Sequence, residues 1–207
     1  MKHTERSPLV VGVAGIMGAG KSTVAKVFEE IGAARINADM IGKELLNSPE
    51  MKRAIIEAFG RGVAGADGEI DTAKLGRAAF RNADSAQKLS ELTREPLIAR
   101  IKAKISELRD SSDMIVVDAA LLPEWDSKDW VDVLVVVDSC EDDSVRRSCS
   151  GRRFGSANVR RRMKHQFSRR EKTGCADVII PNYGSLEQLR QRAQKVFWTL
   201  MGIAGKG

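Results

Sequence analysis

The sequence predicts an α/β fold with a five-stranded, mainly parallel sheet flanked by helices, and three observations carry that prediction. Five short apolar runs lack polar alternation, as strands covered on both faces do. Helical patterns alternate with them, which implies right-handed crossovers between parallel neighbours. A glycine-rich loop joins the first strand to the first helix. The chain has 207 residues, 43% of them hydrophobic and 30% charged, an ordinary globular balance that excludes wholesale disorder. No apolar run approaches the ~18 residues a membrane helix needs, and the stretch after the charged N-terminus is too short for a signal peptide. A cytoplasmic protein is expected.

The first strand is Leu9–Ala14, and a helical pattern follows from Ser22 to Ile31. Ala34–Asn37 is the second strand, Met114–Asp118 the third, Val131–Asp138 the fourth and Asp177–Ile180 the fifth. An amphipathic helix capped by Ser185 runs to Met201. Between the second and third strands, about 70 residues carry helical pattern and no convincing strand. We read residues 40–110 as a helical substrate-binding insertion, with Pro96 expected to kink or interrupt its helix. A second, smaller insertion at residues 146–173 is read as a lid. The nucleotide-binding core is then 1–39, 111–145 and 174–207.

The lid segment is strongly basic. Residues 146–172 hold eleven Lys or Arg against one acid, Glu171, and because the chain's net charge is +6, the remainder is slightly acidic. Such a local field should face phosphate. Only Phe154 and Phe167 interleave with it, too few aromatic side chains for base-stacking recognition of single strands. Cys140, Cys149 and Cys175 are odd in number and lack metal-like spacing, which argues against a disulfide framework or a zinc site.

Gly15-Ile16-Met17-Gly18-Ala19-Gly20-Lys21-Ser22 fits G-x-x-x-x-G-K-S/T between a buried strand and a helix. Glycines let successive backbone N–H groups turn inward around phosphate oxygens, where a Cβ would obstruct them. The following helix aims its positive end at the same anion. Lys21 should reach the β- and γ-phosphates, and the Ser22 hydroxyl should bind Mg²⁺. The motif therefore specifies a nucleoside triphosphate without specifying its use.

Asp39-Met40-Ile41-Gly42 matches a D-x-x-G switch pattern, but it lies only 18 residues after Lys21 and no N-K-x-D guanine-reading element exists; a GTPase is discounted. Asp39 follows the second strand on the carboxyl edge of the sheet, where ligands of open α/β folds bind. A carboxylate there would accept the proton of an attacking hydroxyl, or cap the helix beginning at Met40. Asp118 ends the third strand, where it would serve Mg²⁺ through water or cap the strand end. Arg152 and Arg153 in the basic insertion would close over the phosphates, offset developing charge and exclude water.

The ordered set of motifs resembles the dephospho-CoA kinase family. It comprises the loop Gly15–Thr23, Asn37-Ala38-Asp39, Glu95-Pro96-Leu97-Ile98, the run Asp118–Glu124, Gln166–Lys172 and Ala176–Gly184. The resemblance implies a P-loop kinase fold with a helical substrate-binding insertion and a small basic lid. It also implies transfer of the γ-phosphoryl of ATP, with Mg²⁺, to the ribose 3′-hydroxyl of dephospho-CoA, the last step of coenzyme A synthesis. Residue by residue, Gly18, Ala19, Gly20, Lys21, Ser22 and Thr23 would hold the ATP phosphates and Asp39 would be the general base. Lys21 and Arg152, or its neighbour Arg153, would complete the catalytic set. Asn182 would lie beside the adenine, Arg147 would be a phosphate contact, and Asp118 and Glu95 would be on the substrate side.

The chain departs from the family pattern at Asn37, where an acid is usual, and at Glu95, where histidine is usual. It also departs at Ala120 and Pro181, which replace a proline and an acid. These changes keep two rival readings in view: a related kinase acting on another nucleoside or nucleotide, and a non-catalytic nucleotide-sensing protein. The expected partner is a small molecule, with no membrane or nucleic acid, and the expected state is a monomer or small homo-oligomer.

Overall fold

A computed structural model describes residues 7–150 and 155–204. Five strands form one sheet in the order β2-β3-β1-β4-β5, where β1 is Leu9–Ala14, β2 Ala34–Asn37, β3 Met114–Asp118, β4 Val133–Asp138 and β5 Val178–Pro181. β1 lies parallel between β3 and β4, with Val11 opposite Val116 on one side and Val133 on the other. β4 pairs parallel with β5 through Val137 and Ile180. The three central strands β1, β3 and β4 are rich in Val and almost wholly buried, because helices cover both faces of a parallel sheet.

The chain divides into two compact units, Asn37–Ala103 and the described residues before and after it. In the sheet-bearing unit, helices α1 (Lys21–Glu30) and α9 (Leu186–Ala204) pack on one another. Phe28 and Phe197 meet edge to face, centroids 5.5 Å apart, within a core that includes Val11, Val24, Val116, Val135 and Leu189. Ser185 caps α9 as expected: its Oγ accepts from Gln188 N at 3.2 Å while Gln188 Oε1 accepts from Ser185 N at 3.0 Å. Three strand ends shift from expectation, the third being the end of β5, at Pro181 and not Ile180. β4 begins at Val133 because Val131 N donates to Ser127 O, and β5 begins after Asp177, whose carboxylate instead accepts from Leu134 N at 2.7 Å.

The second unit holds α2 (Ala38–Leu46), α3 (Pro49–Phe59) and α4 (Thr72–Ala79), with α5 (Ala83–Leu108) beginning inside it. Its own core gathers Leu45, Met51, Ile55, Val63, Ile70 and Leu75, against which Leu89, Leu92 and Leu97 pack. Of the two outcomes expected of Pro96, interruption is not seen: α5 runs unbroken across it. Proline removes one backbone donor and crowds the preceding turn, at about 3 kcal/mol. Partly buried leucines on both sides of Pro96 pack against the cluster, and that burial works against the cost.

The basic segment folds as α6 (Glu141–Cys149), α7 (Ser156–Met163) and α8 (Arg169–Gly174). Among the described residues no helix is long and apolar enough to cross a membrane.

Candidate active site

The phosphate loop leaves β1 at Gly15 and enters α1 at Lys21. Gly18 and Gly20 hold φ of +80° and +105°, a left-handed region that side chains disfavour. Space excludes a side chain as well: a Cβ on Gly18 would collide with the Ser144 carbonyl oxygen, and one on Gly20 would come within 2.8 Å of Asn182 Nδ2. No side chain caps α1 at Gly20, which leaves the positive end of the helix open to an anion. Lys21 Nζ donates to Ile16 O at 3.4 Å, so the lysine folds back over the loop. Ser22, exposed, and Thr23 occupy the first turn of α1.

Two side chains brace this loop from outside. Arg147, on α6, donates from Nη1 to Gly18 O (3.2 Å) and Ala19 O (3.4 Å). From Nη2 it donates to Ser139 Oγ (2.8 Å) and Asn182 O (3.4 Å). Asn182, 6% exposed, donates from Nδ2 to Ala19 O at 2.8 Å. Both side chains are thus engaged with loop carbonyls, beside the place where the sequence sets a phosphate contact for Arg147 and an adenine contact for Asn182. A buried carbonyl must be satisfied, and these two donors satisfy Ala19.

Asp118 sits opposite Val13 in the β1–β3 register, beside the start of the loop. It is 5% exposed and accepts from Arg35 Nη2 at 2.7 Å. Burial works against the Arg35 charge, but hydrogen bonds and field from Asp118 and Glu29 prevail and raise its pKa. Asp118 is therefore one half of an ion pair, which its position at a strand end did not reveal.

Asp39 belongs to the second unit, exposed in the first turn of α2. It does not cap that helix: Asn37 does, accepting from Met40 N at 3.1 Å. Asn37, which departs from the family pattern, therefore has a local job for which asparagine is well suited. Glu95 is exposed on α5, also in the second unit. Arg152 and Arg153 lie outside the described residues.

Two further clusters stand on the carboxyl side of the sheet. Asp138, at the end of β4, accepts from Arg169 Nε at 2.5 Å and Nη2 at 2.9 Å, and from the Tyr183 hydroxyl. The guanidinium of Arg169 also lies 5.5 Å from the Tyr183 ring centroid. The Arg169 hydrogen bond holds the Asp138 carboxyl below its ordinary range, against the opposing effect of burial. Burial, with Asp138 nearby, pushes the Tyr183 phenol up. The other cluster is Lys172 with Glu124, where burial lowers the lysine's pKa although Glu124 opposes that shift. The sequence signal for the first was an aspartate ending β4 as Asp118 ends β3. For the second it was a charged residue in each of two distant motifs.

The arrangement of a braced glycine loop, a folded-over lysine and an uncapped helix start has the chemistry to bind and orient a polyphosphate. Comparison with known proteins agrees. A family model described as CoaE: Dephospho-CoA kinase matches residues 9–188. A dephospho-CoA kinase of Carboxydothermus hydrogenoformans is 34% identical over 186 residues, covering 88% of this chain and 90% of that protein. The crystal structure of TT1252 from Thermus thermophilus superposes with a TM-score of 0.75 at 24% identity, over 93% of this chain and 97% of that one. A dephospho-CoA kinase from Campylobacter jejuni gives 0.60 at 22% identity, over 92% and 96%. The two structures establish the shared fold.

Proposed function

This chain belongs to the dephospho-CoA kinase family, and from that premise we infer that it transfers the γ-phosphoryl group of ATP to the ribose 3′-hydroxyl of dephospho-CoA, releasing coenzyme A and ADP. The observation that carries the reading is the phosphate loop, seated in a match that spans residues 9–188.

Backbone N–H groups of Gly18 to Thr23 and the Lys21 ammonium hold and orient the triphosphate. Asp39 takes the proton as the 3′-oxygen bonds to the γ-phosphorus and the bond to the β–γ bridging oxygen breaks. Arg152 or Arg153 offsets the charge that develops on the transferring group. Residues 40–110 serve the acceptor and residues 146–173 act as a lid.

Mg²⁺ suits the residues present. It keeps several waters and needs only one or two protein oxygens beside the phosphates, and among the described residues no cluster of three metal-ligating side chains exists. The exposed Ser22 hydroxyl would hold it directly and Asp118 through water. Bound there, Mg²⁺ neutralises phosphate charge. The reading carries with it a cytoplasmic site of action.

An ADP-release assay with ATP, Mg²⁺ and dephospho-CoA tests it, with product mass determined. Acceptor-dependent ADP release with a 3′-phosphorylated product is expected. Slow ATP hydrolysis indifferent to dephospho-CoA would overturn the acceptor assignment and point to another nucleoside or nucleotide.

A further inference from the structure

Helix α6 turns Ser144, Arg147 and Ser148 toward the phosphate loop from one face, as their i, i+3 and i+4 spacing requires. Arg147 holds the Gly18 and Ala19 carbonyls. The two serines beside it are 0% and 5% exposed, and neither hydroxyl has a hydrogen-bond partner among the described residues. A helical serine can settle its hydroxyl on the carbonyl one turn back, as Ser150 at the end of this helix does on Arg146 O at 2.9 Å. Ser144 and Ser148 do not. Ser148 Oγ borders Gly18 closely: a Cβ built on that glycine would lie 2.4 Å from it. Alanine would fill the same space without an unsatisfied hydroxyl, so the free protein carries a cost that packing does not require.

The loop has a matching gap. The carbonyls of Ile16, Gly18, Ala19 and Gly20 accept from Ala19 N, Arg147, Asn182 and Thr23 N respectively. Among the described residues no donor meets Met17 O, and Gly18 N, at the other end of the same peptide, finds no acceptor. A trans peptide is planar, with its C=O and N–H opposed. A hydroxyl that held Met17 O toward α6 would therefore aim Gly18 N–H inward, at an anion.

We propose that Ser148 is a positioning residue for the triphosphate. As ATP enters, the Met17–Gly18 peptide turns, Ser148 Oγ donates to Met17 O, and Gly18 N–H donates to a phosphate oxygen. The proposal rests on the ATP reading of the phosphate loop and deepens it. The free loop leaves the hydroxyl unsatisfied and the occupied loop satisfies it, so α6 contributes to triphosphate affinity without touching the nucleotide.

Calorimetry of ATP binding to the wild-type protein and to Ser148→Ala tests this, with melting temperatures measured with and without ATP. Affinity for ATP should fall about fivefold in the variant, the scale of one net hydrogen bond. The rise in melting temperature that ATP produces should shrink with it. Without ATP the melting temperature of the variant should hold or rise, because a buried hydroxyl left unsatisfied in the free protein is gone. A lower melting temperature without ATP marks a merely structural serine and overturns the proposal, whatever the affinity. An unchanged affinity overturns it as well. The acceptor takes no part in these measurements, so weakened binding in the variant supports the inference even if dephospho-CoA proves not to be phosphorylated. Absence of ATP binding by the wild-type protein would overturn the ATP reading itself, and this inference with it.

Discussion

Lys172 Nζ lies 2.6 and 2.9 Å from the two carboxylate oxygens of Glu124 and 2.7 Å from the Ala120 carbonyl, with a side chain only 1% exposed. This pair ties α8 to the segment after β3, and so joins two of the motifs that carry the family resemblance. It satisfies a buried ammonium with three acceptors, which is what makes burial of that charge tolerable.

Removing one partner should therefore cost far more than removing both. Lys172→Met is expected to lose about 3–5 kcal/mol by leaving the Glu124 carboxylate without its countercharge. Lys172→Met combined with Glu124→Leu should recover most of that loss. Urea unfolding midpoints of the single and double variants check this; equal destabilisation in both would mean the pair contributes only packing.

The guanidinium of Arg147 shapes the phosphate loop through the carbonyls of Gly18 and Ala19. Arg147→Lys keeps the charge but loses the planar fork. With about 1 kcal/mol for each net hydrogen bond lost, the KM for ATP should rise about five- to tenfold or more while the KM for the acceptor changes little. Steady-state kinetics with each substrate varied in turn decides it; a parallel rise in both constants would indicate a general loss of order.

Gly18→Ala places a methyl group against the Ser144 carbonyl at a positive φ. ATP binding measured by calorimetry should be lost or nearly so. Retained binding would show that α6 can move away at little cost.

Asp39→Asn should keep ATP binding and cut turnover by roughly 100-fold or more, the scale of a positioned base. Lys21→Ala should lose both binding and rate. Near-normal turnover in Asp39→Asn would remove Asp39 from the base role, and unchanged kinetics in Lys21→Ala would sink the phosphate-loop assignment.

Asp138 and Tyr183 frame a pH window for stability. The Asp138 carboxyl is lowered, chiefly by Arg169, so the unfolded chain binds its proton first as pH falls. Its contribution is fully present above about pH 4 and is lost as pH drops through the lowered folded value. The Tyr183 phenol is raised, so its contribution is present below about pH 10 and is lost above that. Unfolding free energies across pH should show a flattened acid limb in Asp138→Asn and a flattened alkaline limb in Tyr183→Phe. Limbs identical to wild type would mean the cluster persists in the unfolded chain.

Much of the fold was legible because its signals are local. Apolar runs without alternation located the strands to within two residues, and Gly15–Ser22 declared a phosphate loop through residue types that only such a turn requires. Pro96 lies inside an unbroken helix because its cost is local while the packing of Leu89, Leu92 and Leu97 around it is not. Asp39 was read correctly as lying past β2, but the helix cap there is Asn37, since either residue type caps well and only the backbone angle selects between them.

The amino-acid sequence by itself determined the order of strands and helices, the phosphate loop and the family. The first two follow from residue types read at short spacing, and the family from the ordered set of motifs that resembles it along most of the chain. The tertiary structure alone decided what the isolated polar residues do. Arg147 and Asn182 turn toward loop carbonyls, Asp118 toward Arg35, Asp138 toward Arg169 and Tyr183, and Lys172 toward Glu124. These partners lie up to 163 residues apart in the chain. A buried donor or acceptor must be satisfied by whatever the fold brings within about 3 Å, and that neighbour is set by sheet order and helix packing, which no local pattern encodes.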